Sequence, residues 1–572
     1  MKKLAIIGMG PRGLSALEQW LMVSNSKIQF EIHMYETAEF LGAGKIWSLD
    51  QPEYNWINIS ERALQQLKGR PEISYFGYKL PSFPAYQDWV TQNITKESRT
   101  QDNFPPRKQM GTYLHERFLS IYEVLKSDKN FKIIKEEVIN INTNNHKICV
   151  NQNCKHSELY DEVVLCIGHQ PIERDKQLKK WMAHTNEQHG YLITYPYPIV
   201  KLSDNKEIEP NQNLAIRGFG LAMVDVVRAI TIGKGGHFKY INTLTLESKY
   251  VASGKEPKNI IPFSLDGFPL APKPLNKDID DITLPSEADY LYLKKELEDV
   301  ASGQKNVNSI NFLTNAIASI TASLYDVTTE NTLNHSYTKL ELKNLVIDWF
   351  KNEEFNHSLF QNHKLPTIEI IQSFVKMALT GFNLSLDYFI GQVWRHLQPI
   401  IYDKFSHAQV SDHILAEIIT LDERIKRYSY GPPVESMQQL IALHSCGILN
   451  LNYTSNPDIQ LVPKGWKLSH SNHSITAEVM VNSILPAPEL LKVKSPLVKN
   501  LLENDLIQPV HSELGIETHK NGIVNVPESE QMIPLAVLGR LAKGSIIGVD
   551  AILECFGTRI TDWAEGVLDR NI

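Results

Sequence analysis

The sequence predicts an α/β protein with two Rossmann-like dinucleotide-binding domains and a mostly helical insertion. Three observations support this fold class. An apolar strand runs into a glycine-rich turn at the start of the chain, a similar strand and turn follow near residue 214, and helical periodicity dominates residues 285–445. A glycine turn between an apolar strand and a helix is typical of nucleotide-binding βαβ units. The chain of 572 residues is long enough for several such domains.

The first glycine turn follows an apolar strand and opens a predicted helix. In its G-x-G-x-x-G pattern, Gly8 permits the tight turn, Gly10 leaves room for a pyrophosphate, and Gly13 lets helix and strand pack closely. The next predicted strand ends at Glu36. An acid at this place suits a hydrogen bond to a ribose hydroxyl, so the segment predicts a dinucleotide site. A purely structural glycine turn is the alternative.

The second glycine turn is less regular. Gly218 and Gly220 follow a short apolar strand, but Met223 stands where a third small residue is expected and would push the helix away from the strand. Residues 260–263 are the next predicted strand, and Asp266 beyond it would repel a 2′-phosphate by its charge. The pattern predicts a nicotinamide dinucleotide site, with a degenerate structural turn as the alternative.

Composition and motifs exclude several other classes. A net charge of −7 without a basic run argues against a general nucleic-acid binder. The five cysteines form no C-x-x-C pair, which favours reduced thiols in a cytoplasmic protein. No apolar run is long enough for a membrane span, and the histidines show no metal-ligand spacing, so we predict neither membrane nor metal binding. A G-x-S-x-G hydrolase turn is also missing.

With these features, the chain resembles the two-dinucleotide-binding flavoproteins of the FAD/NAD(P)-binding (NAD-binding-9-like) family, a bacterial group related to flavin-containing and N-hydroxylating monooxygenases. The resemblance covers nearly the whole chain. Its most specific motifs are Gly8 to Gly13, Gly42-Ala43-Gly44 with Trp47, Pro105-Pro106-Arg107, Cys166-Ile167-Gly168-His169, Gly218 to Asp225, and the region around Gly539.

The resemblance implies FAD at the first turn and NAD(P)H at the second. The residues implied for FAD at the first turn and the acid after it are Gly8, Gly10, Pro11, Arg12, Gly13 and Glu36. Further along the chain, Trp47 would lie near the flavin ring, the Val138 backbone by the adenine, Gly168 at the crossing between the two nucleotide units, Gly218 and Gly220 on the nicotinamide dinucleotide, and Gly539 in the FAD cradle. Leu265, where the family has Arg, departs from the pattern.

Three single residues have competing interpretations. Asn58 is the candidate catalytic residue, since the resemblance places it at the flavin, but it could simply cap a turn. Arg107, which follows two prolines, would suit a phosphate or a substrate carboxylate, and a surface arginine is the alternative. Trp47 could equally be a core or rim aromatic.

The predicted organisation brings both ends of the chain together. Residues 1–200 and 531–572 form the FAD-binding domain, residues 201–284 and 446–530 the NAD(P)-binding domain, and residues 285–445 the helical insertion. The predicted function is an FAD-dependent oxidoreductase, an NAD(P)H-driven monooxygenase acting on a small amine or amino acid. A flavin dehydrogenase or reductase without oxygenation and a non-catalytic flavin-binding protein are the alternatives. The substrate and the oligomeric state stay open.

Overall fold

The computed structural model describes residues 1–94, 100–144, 147–151, 158–187, 189–329, 337–352, 354–526 and 532–572. Its strands are β1 (Lys2–Ile7), β2 (Phe30–Tyr35), β3 (Ile73–Tyr75), β4 (Tyr78–Leu80), β5 (Phe131–Ile134), β6 (Ile141–Asn144), β7 (Lys147–Val150), β8 (Leu159–Tyr160), β9 (Glu162–Leu165), β10 (Tyr191–Ile193), β11 (Asn213–Arg217), β12 (His237–Asn242), β13 (Glu247–Val251), β14 (Asn259–Phe263), β15 (Asp458–Val462), β16 (Gly465–His470), β17 (His473–Ala477), β18 (Val479–Asn482) and β19 (Leu535–Val537).

Helices surround these strands. They are α1 (Pro11–Ser24), α2 (Tyr86–Asn93), α3 (Arg107–Leu125), α4 (Lys176–Asn186), α5 (Val200–Ser203), α6 (Leu221–Thr231), α7 (Lys277–Asp280), α8 (Glu287–Ala301), α9 (Asn311–Thr329), α10 (Lys339–Lys351), α11 (Thr367–Thr380), α12 (Leu386–Phe405), α13 (Asp412–Ser429), α14 (Val434–Ser445), α15 (Pro496–Glu503) and α16 (Thr558–Asn571). The α/β fold class predicted from the sequence is confirmed.

The first sheet is parallel and has the strand order β19-β9-β1-β2-β5. Its central strand β1 is apolar and buried, so it lies between helical layers as parallel strands do. Strand β19 comes from the far end of the sequence and pairs with β9, and the last helix α16 packs against α1. Both ends of the chain therefore build the same unit, which fixes the glycine turn after β1 relative to the C-terminal segment.

The second sheet is also parallel, with the order β10-β18-β11-β14. Strand β11 leads through the second glycine turn into α6, and β14 pairs with β11, as the sequence predicts for residues 260–263. The hairpin of β12 and β13 stands between α6 and β14 along the chain. The second unit is thus a Rossmann-like βαβ with one inserted hairpin.

The helical insertion follows β14. In the described parts of residues 285–445, every element is a helix, from α8 to α14. These helices share one apolar core with α6 of the second sheet, and its largest fully buried side chains include Trp394, Tyr388 and Phe374. The insertion is therefore packed directly onto the second sheet.

The structure differs from the predicted domain boundaries at two places. Strand β10, within the span predicted for the FAD domain, pairs with β18 of the second sheet. Helix α15, within the span predicted for the NAD(P) domain, buries Leu497, Val498 and Leu501 in the core beneath the first sheet. Short strands and helices carry apolar residues whichever sheet they join, so periodicity alone does not assign them. The remaining boundaries stay predictions.

Candidate functional site

A cavity of about 2260 Å³ lies between the two sheets. The first glycine turn, the end of β2, the segment after β9 and residues 194–200 line it, together with the ends of β11 and β18 and residues 549–552. Ligand pockets usually measure about 300–1,000 Å³. The cavity therefore has room for a large ligand and a second molecule beside it.

The first glycine turn forms a cradle at one end of this cavity. Gly8 has φ +92°, and a Cβ there would lie 2.5 Å from the Cys166 carbonyl oxygen. A Cβ on Gly13 would lie 2.1 Å from the carbonyl oxygen of Gly8. A Cβ on Gly10, by contrast, would meet only Gly44 Cα at 3.9 Å, and Gly10 lines the cavity. Two glycines thus close the turn, and the middle one leaves the backbone open to a ligand.

Glu36 lies at the edge of the cavity, at the end of β2. Its Oε2 accepts a hydrogen bond of 2.8 Å from the Met9 amide, and its Oε1 accepts from the amides of Thr37 and Ala38. Three backbone donors therefore fix the carboxylate beside the glycine turn. Each carboxylate oxygen has more than one lone pair, so a ribose hydroxyl can still donate to it.

Arg12 and Gly539 join the glycine turn to the C-terminal segment. The Arg12 guanidinium donates to the carbonyl oxygens of Val549 (3.0 Å) and Glu554 (3.1 Å). Gly539 has φ +106°, and a Cβ there would lie 2.4 Å from Arg12 Cδ. Arg12 and its neighbour Pro11 line the cavity, whereas Gly539 makes the space that Arg12 occupies.

Other predicted site residues divide into two groups. Trp47, Val138 and Gly168 all line the cavity. Asn58 is outside the described residues that line it, and its side-chain amide donates to the Tyr430 carbonyl oxygen at 3.2 Å. The structure therefore gives Asn58 a contact with the helical insertion, and its catalytic role stays a prediction.

Arg107 pairs with a carboxylate from the second unit. Its Nη2 lies 2.9 Å from Asp225 Oδ2 on α6, and the Tyr197 hydroxyl donates to the same oxygen at 2.6 Å. Arg107 Cζ also stands 5.7 Å from the centre of the Tyr197 ring. Arg107 and Tyr197 line the cavity, so this contact crosses between the units at its wall. The structure contradicts a free surface arginine.

Burial and charge set the protonation of this group. Burial and the neighbouring Asp225 carboxylate raise the pKa of Tyr197 well above its usual value, so the hydroxyl stays protonated. Burial would lower the pKa of Arg107, but Asp225 holds it above the usual value. Sequence analysis missed Tyr197 and the role of Asp225, although a lone acid in the apolar helix α6 was a visible signal.

The second glycine turn lies outside the described lining of the large cavity. Gly218 has φ +115°, and a Cβ there would lie 2.6 Å from Ser483 Oγ, whereas a Cβ on Gly220 would meet nothing within 4 Å. Met223 is only 2 % exposed, so the apolar core next to α6 accommodates it. Gly220 opens α6 and leaves the helix N-terminus accessible.

Asp266, expected to repel a 2′-phosphate, is paired. Arg427 Nη2 lies 2.5 Å from its Oδ2. Burial would raise the pKa of Asp266, but Arg427 holds it below the usual value. The carboxylate is therefore charged and compensated, which weakens the repulsion predicted from the sequence. Leu265 beside it is 87 % exposed.

A second charged group lines the cavity near the C-terminus. Asp550 lies 2.9 Å from Lys426 Nζ and is also paired with Arg540. Burial would raise the pKa of Asp550, but these cations hold it well below its usual range. Enclosure and the charge of Arg540 lower the pKa of His169 to about 4, so this cavity residue is neutral at pH 7.

Two surveys bear on the expected absences. Among the described residues, no group of three or more His, Cys, Asp or Glu side chains is placed to hold a metal ion. None of the helices in the described part of the chain is long and apolar enough to cross a membrane.

Residues 5–170 match the model of a family described as FAD-NAD(P)-binding. This part of the chain is an FAD/NAD(P)-binding domain. The match covers β1, the first glycine turn, Glu36 and the segment after β9, which are the parts that form the cradle. The cofactor class predicted from the sequence is confirmed.

The chain is also similar to characterised proteins over longer stretches. It is 22 % identical over 567 residues to the nitrosuccinic acid synthase of Aspergillus oryzae, which covers 90 % of this chain and 83 % of that protein. It is 24 % identical over 286 residues to the L-aspartate N-monooxygenase (nitrosuccinate-forming) of Streptomyces davaonensis, covering 45 % of this chain and 42 % of that protein. The predicted resemblance to N-hydroxylating monooxygenases is confirmed, and these relatives come from a fungus as well as from bacteria.

Solved structures similar to this chain include two flavin monooxygenases. One is OTEMO in complex with FAD and NADP, with 12 % identity and a TM-score of 0.43, covering 100 % of this chain and 83 % of that one. The other is a cyclohexanone monooxygenase mutant from Rhodococcus sp. Phi1 bound to NADP+, with 11 % identity and a TM-score of 0.43, covering 99 % of this chain and 85 % of that one.

Proposed function

We propose that the chain is an NAD(P)H-driven, FAD-dependent N-monooxygenase that acts on an amino acid. The observation that carries the proposal is the cavity between two Rossmann-like sheets, with a glycine cradle at one end and charged side chains from both units in its wall. The similarity over 90 % of the chain to a nitrosuccinic acid synthase supports oxidation at nitrogen. A cytoplasmic location and a small-molecule substrate belong to the same proposal.

The cradle residues fit FAD. Gly10 leaves the backbone open at the N-terminus of α1, where a pyrophosphate is favoured by free amides and the helix dipole. Glu36 would accept hydrogen bonds from the ribose, while Val138 and Gly168 would border the nucleotide and Trp47 the ring. FAD, once reduced by a nicotinamide dinucleotide, supplies the activation of oxygen, and the protein supplies binding and orientation.

The charged residues of the wall would orient the second partner. Arg107 donates to Asp225 and, at 3.4 Å, to the Trp56 carbonyl oxygen, which leaves several of its five N–H donors unused. A carboxylate or phosphate entering the cavity could accept from these donors. The Asp225 carboxylate and the Tyr197 ring hold the guanidinium in place, so no reorganisation is needed when the anion arrives.

Anaerobic mixing followed by oxygen tests the proposal. FAD-loaded protein should lose its oxidised-flavin absorbance with NADPH or NADH, and oxygen with L-aspartate should then yield an N-oxygenated product detectable by mass spectrometry. Reduction with only hydrogen peroxide as product for every amino acid would instead establish a flavin reductase. Failure of both nicotinamides to reduce the bound FAD would leave a non-catalytic flavin protein.

A change at Glu36 should weaken FAD binding selectively. Glu36→Gln removes the negative charge that attracts ribose hydroxyls, and hydrogen bonds to charged groups contribute about 1.5–3 kcal/mol. We expect the Kd for FAD, measured by fluorescence titration of the apoprotein, to rise at least about tenfold. Glu39→Gln, at an exposed residue of the same cavity rim, is the matched control. Equal Kd values for Glu36→Gln and the wild type would contradict the assignment.

A further inference from the structure

A cluster of charged side chains lies where the helical insertion meets the loops that precede α3. We call it the Lys273 cluster, and it consists of Arg62, Asp102, Lys273, Asp280, Arg395 and His396. None of these six is among the described residues that line the large cavity. The cluster is therefore distinct from the glycine cradle and from the Arg107 pair.

The two carboxylates of the cluster are fully paired. Arg62 lies 2.7 Å from Asp102 Oδ2 and 2.9 Å from Asp280 Oδ2. Arg395 pairs with the other oxygen of Asp280, and His396 Nε2 lies 3.2 Å from the same atom. Asp280 is 4 % exposed at its side chain, and the arginines hold its pKa well below the usual range although burial would raise it. Both arginines are thus occupied by carboxylates.

Lys273 carries the charge that remains. Its Nζ donates to the Gly431 carbonyl oxygen at 2.8 Å and stands 5.9 Å from the centre of the Tyr430 ring. Within the described ranges, no carboxylate oxygen lies within 4.0 Å of this ammonium group. Three cationic side chains, of Arg62, Lys273 and Arg395, therefore face two carboxylates. The cluster has a surplus of one positive charge and an ammonium with unused donors.

Lys273 is held next to the predicted catalytic residue. Gly431, which accepts from Lys273, directly follows Tyr430, whose carbonyl oxygen accepts from Asn58. A Cβ on Gly431 would lie 1.6 Å from the Ala271 carbonyl oxygen, so the two segments are in direct contact. Consecutive carbonyl groups thus connect Asn58 and Lys273.

We propose that Lys273, with Arg395 beside it, binds the side-chain carboxylate of the substrate, and that the enzyme selects dicarboxylic over neutral amino acids. This inference rests on the proposed function. An anion next to the ammonium offsets the surplus charge that the protein leaves uncompensated. Arg107 in the cavity remains available for the second carboxylate, which every amino acid carries.

The charge surplus has a measurable signature. Burial and the nearby Arg395 lower the pKa of Lys273 to about 7, although Asp280 acts in the opposite direction. The other titratable groups around the cluster are Asp102 and Arg62 on the loops, Tyr290 on α8, Tyr388 and His396 on α12, and Tyr430 after α13. A bound carboxylate raises the pKa of Lys273 again. At pH 8, where free Lys273 is mostly neutral, binding should take up close to one proton.

Calorimetry with succinate tests the proposal. Succinate has two carboxylates and no amine, so it binds without turnover, and succinamate replaces one carboxylate with an amide. With FAD-loaded full-length protein and NADP+, we expect succinate to bind at least tenfold more tightly than succinamate at pH 7. Titrations at pH 8 in phosphate and in Tris should show uptake of nearly one proton for succinate. Affinity for succinate should fall up to tenfold between pH 7.5 and 8.5.

Two variants locate the effect. Lys273→Met should weaken succinate binding at least tenfold at pH 7 and abolish the proton uptake, with unchanged FAD content and unchanged reduction by NADPH. Lys376→Met, at an exposed lysine of α11, should behave as the wild type. Wild-type affinity in Lys273→Met would overturn the proposal.

The wild-type measurements decide the proposal even where Lys273→Met fails to fold. Equal affinities for succinate and succinamate, or no proton uptake at pH 8, would overturn it. The result is separable from the proposed function. Lys273-dependent binding of succinate in a protein that forms no N-oxygenated product from any amino acid would support the carboxylate site and refute the monooxygenase.

Discussion

Gly13→Ala is expected to abolish stable FAD binding. The added Cβ would lie 2.1 Å from the Gly8 carbonyl oxygen and 3.0 Å from the Gly8 carbonyl carbon. Both atoms belong to the backbone, so the turn itself has to shift. Over-packing of this kind costs about 1–3 kcal/mol. We expect the Kd for FAD to rise by about 10–100-fold, and the protein to purify with little flavin absorbance.

A second glycine provides the control. A Cβ on Gly557, before α16, would lie 3.9 Å from its nearest neighbour, the Glu554 carbonyl oxygen, and φ is −83° there. Gly557→Ala should therefore keep the FAD content and the melting temperature of the wild type. Flavin content in Gly13→Ala equal to that of Gly557→Ala would show that the turn is not the FAD cradle.

The features that sequence analysis predicted correctly are local. Gly8, Gly10 and Gly13 lie within six positions, and their steric roles follow from spacing between a strand and a helix. Periodicity likewise predicted the α12 helix and the β14 strand, because burial of one face or of a whole strand leaves a visible pattern. Such features need no knowledge of the tertiary structure.

The features that were missed depend on distant contacts. Asp225 meets Arg107 across 118 positions of the sequence, and Lys273 meets Gly431 across 158. No spacing rule connects such residues, since their proximity follows from how the helical insertion and the two sheets pack. Asn58 shows the same limit: the resemblance indicates its neighbourhood, but its observed partner is the Tyr430 carbonyl group of the insertion.

The contact between Asp225 and Arg107 is expected to stabilise the arrangement of the two units. Asp225→Ala leaves the Arg107 side chain, 20 % exposed, without its carboxylate, and the Tyr197 hydroxyl without its acceptor. Removing one partner of a buried ion pair costs about 3–5 kcal/mol. We expect the free energy of unfolding to fall by about this amount, seen as a lower urea midpoint of the FAD-loaded protein.

A double-mutant cycle separates the ion pair from the packing around it. Arg107→Met together with Asp225→Ala removes both charges, so the double variant should be destabilised by less than the sum of the single variants. Asp225→Asn keeps an acceptor for Tyr197 and isolates the effect of charge. Lys126→Met, which removes the exposed pair with Glu123, should change stability by less than about 1 kcal/mol. Additive effects at residues 107 and 225 would mean that α3 and α6 are held together by apolar packing alone, and Arg107 would then be free to serve only the ligand.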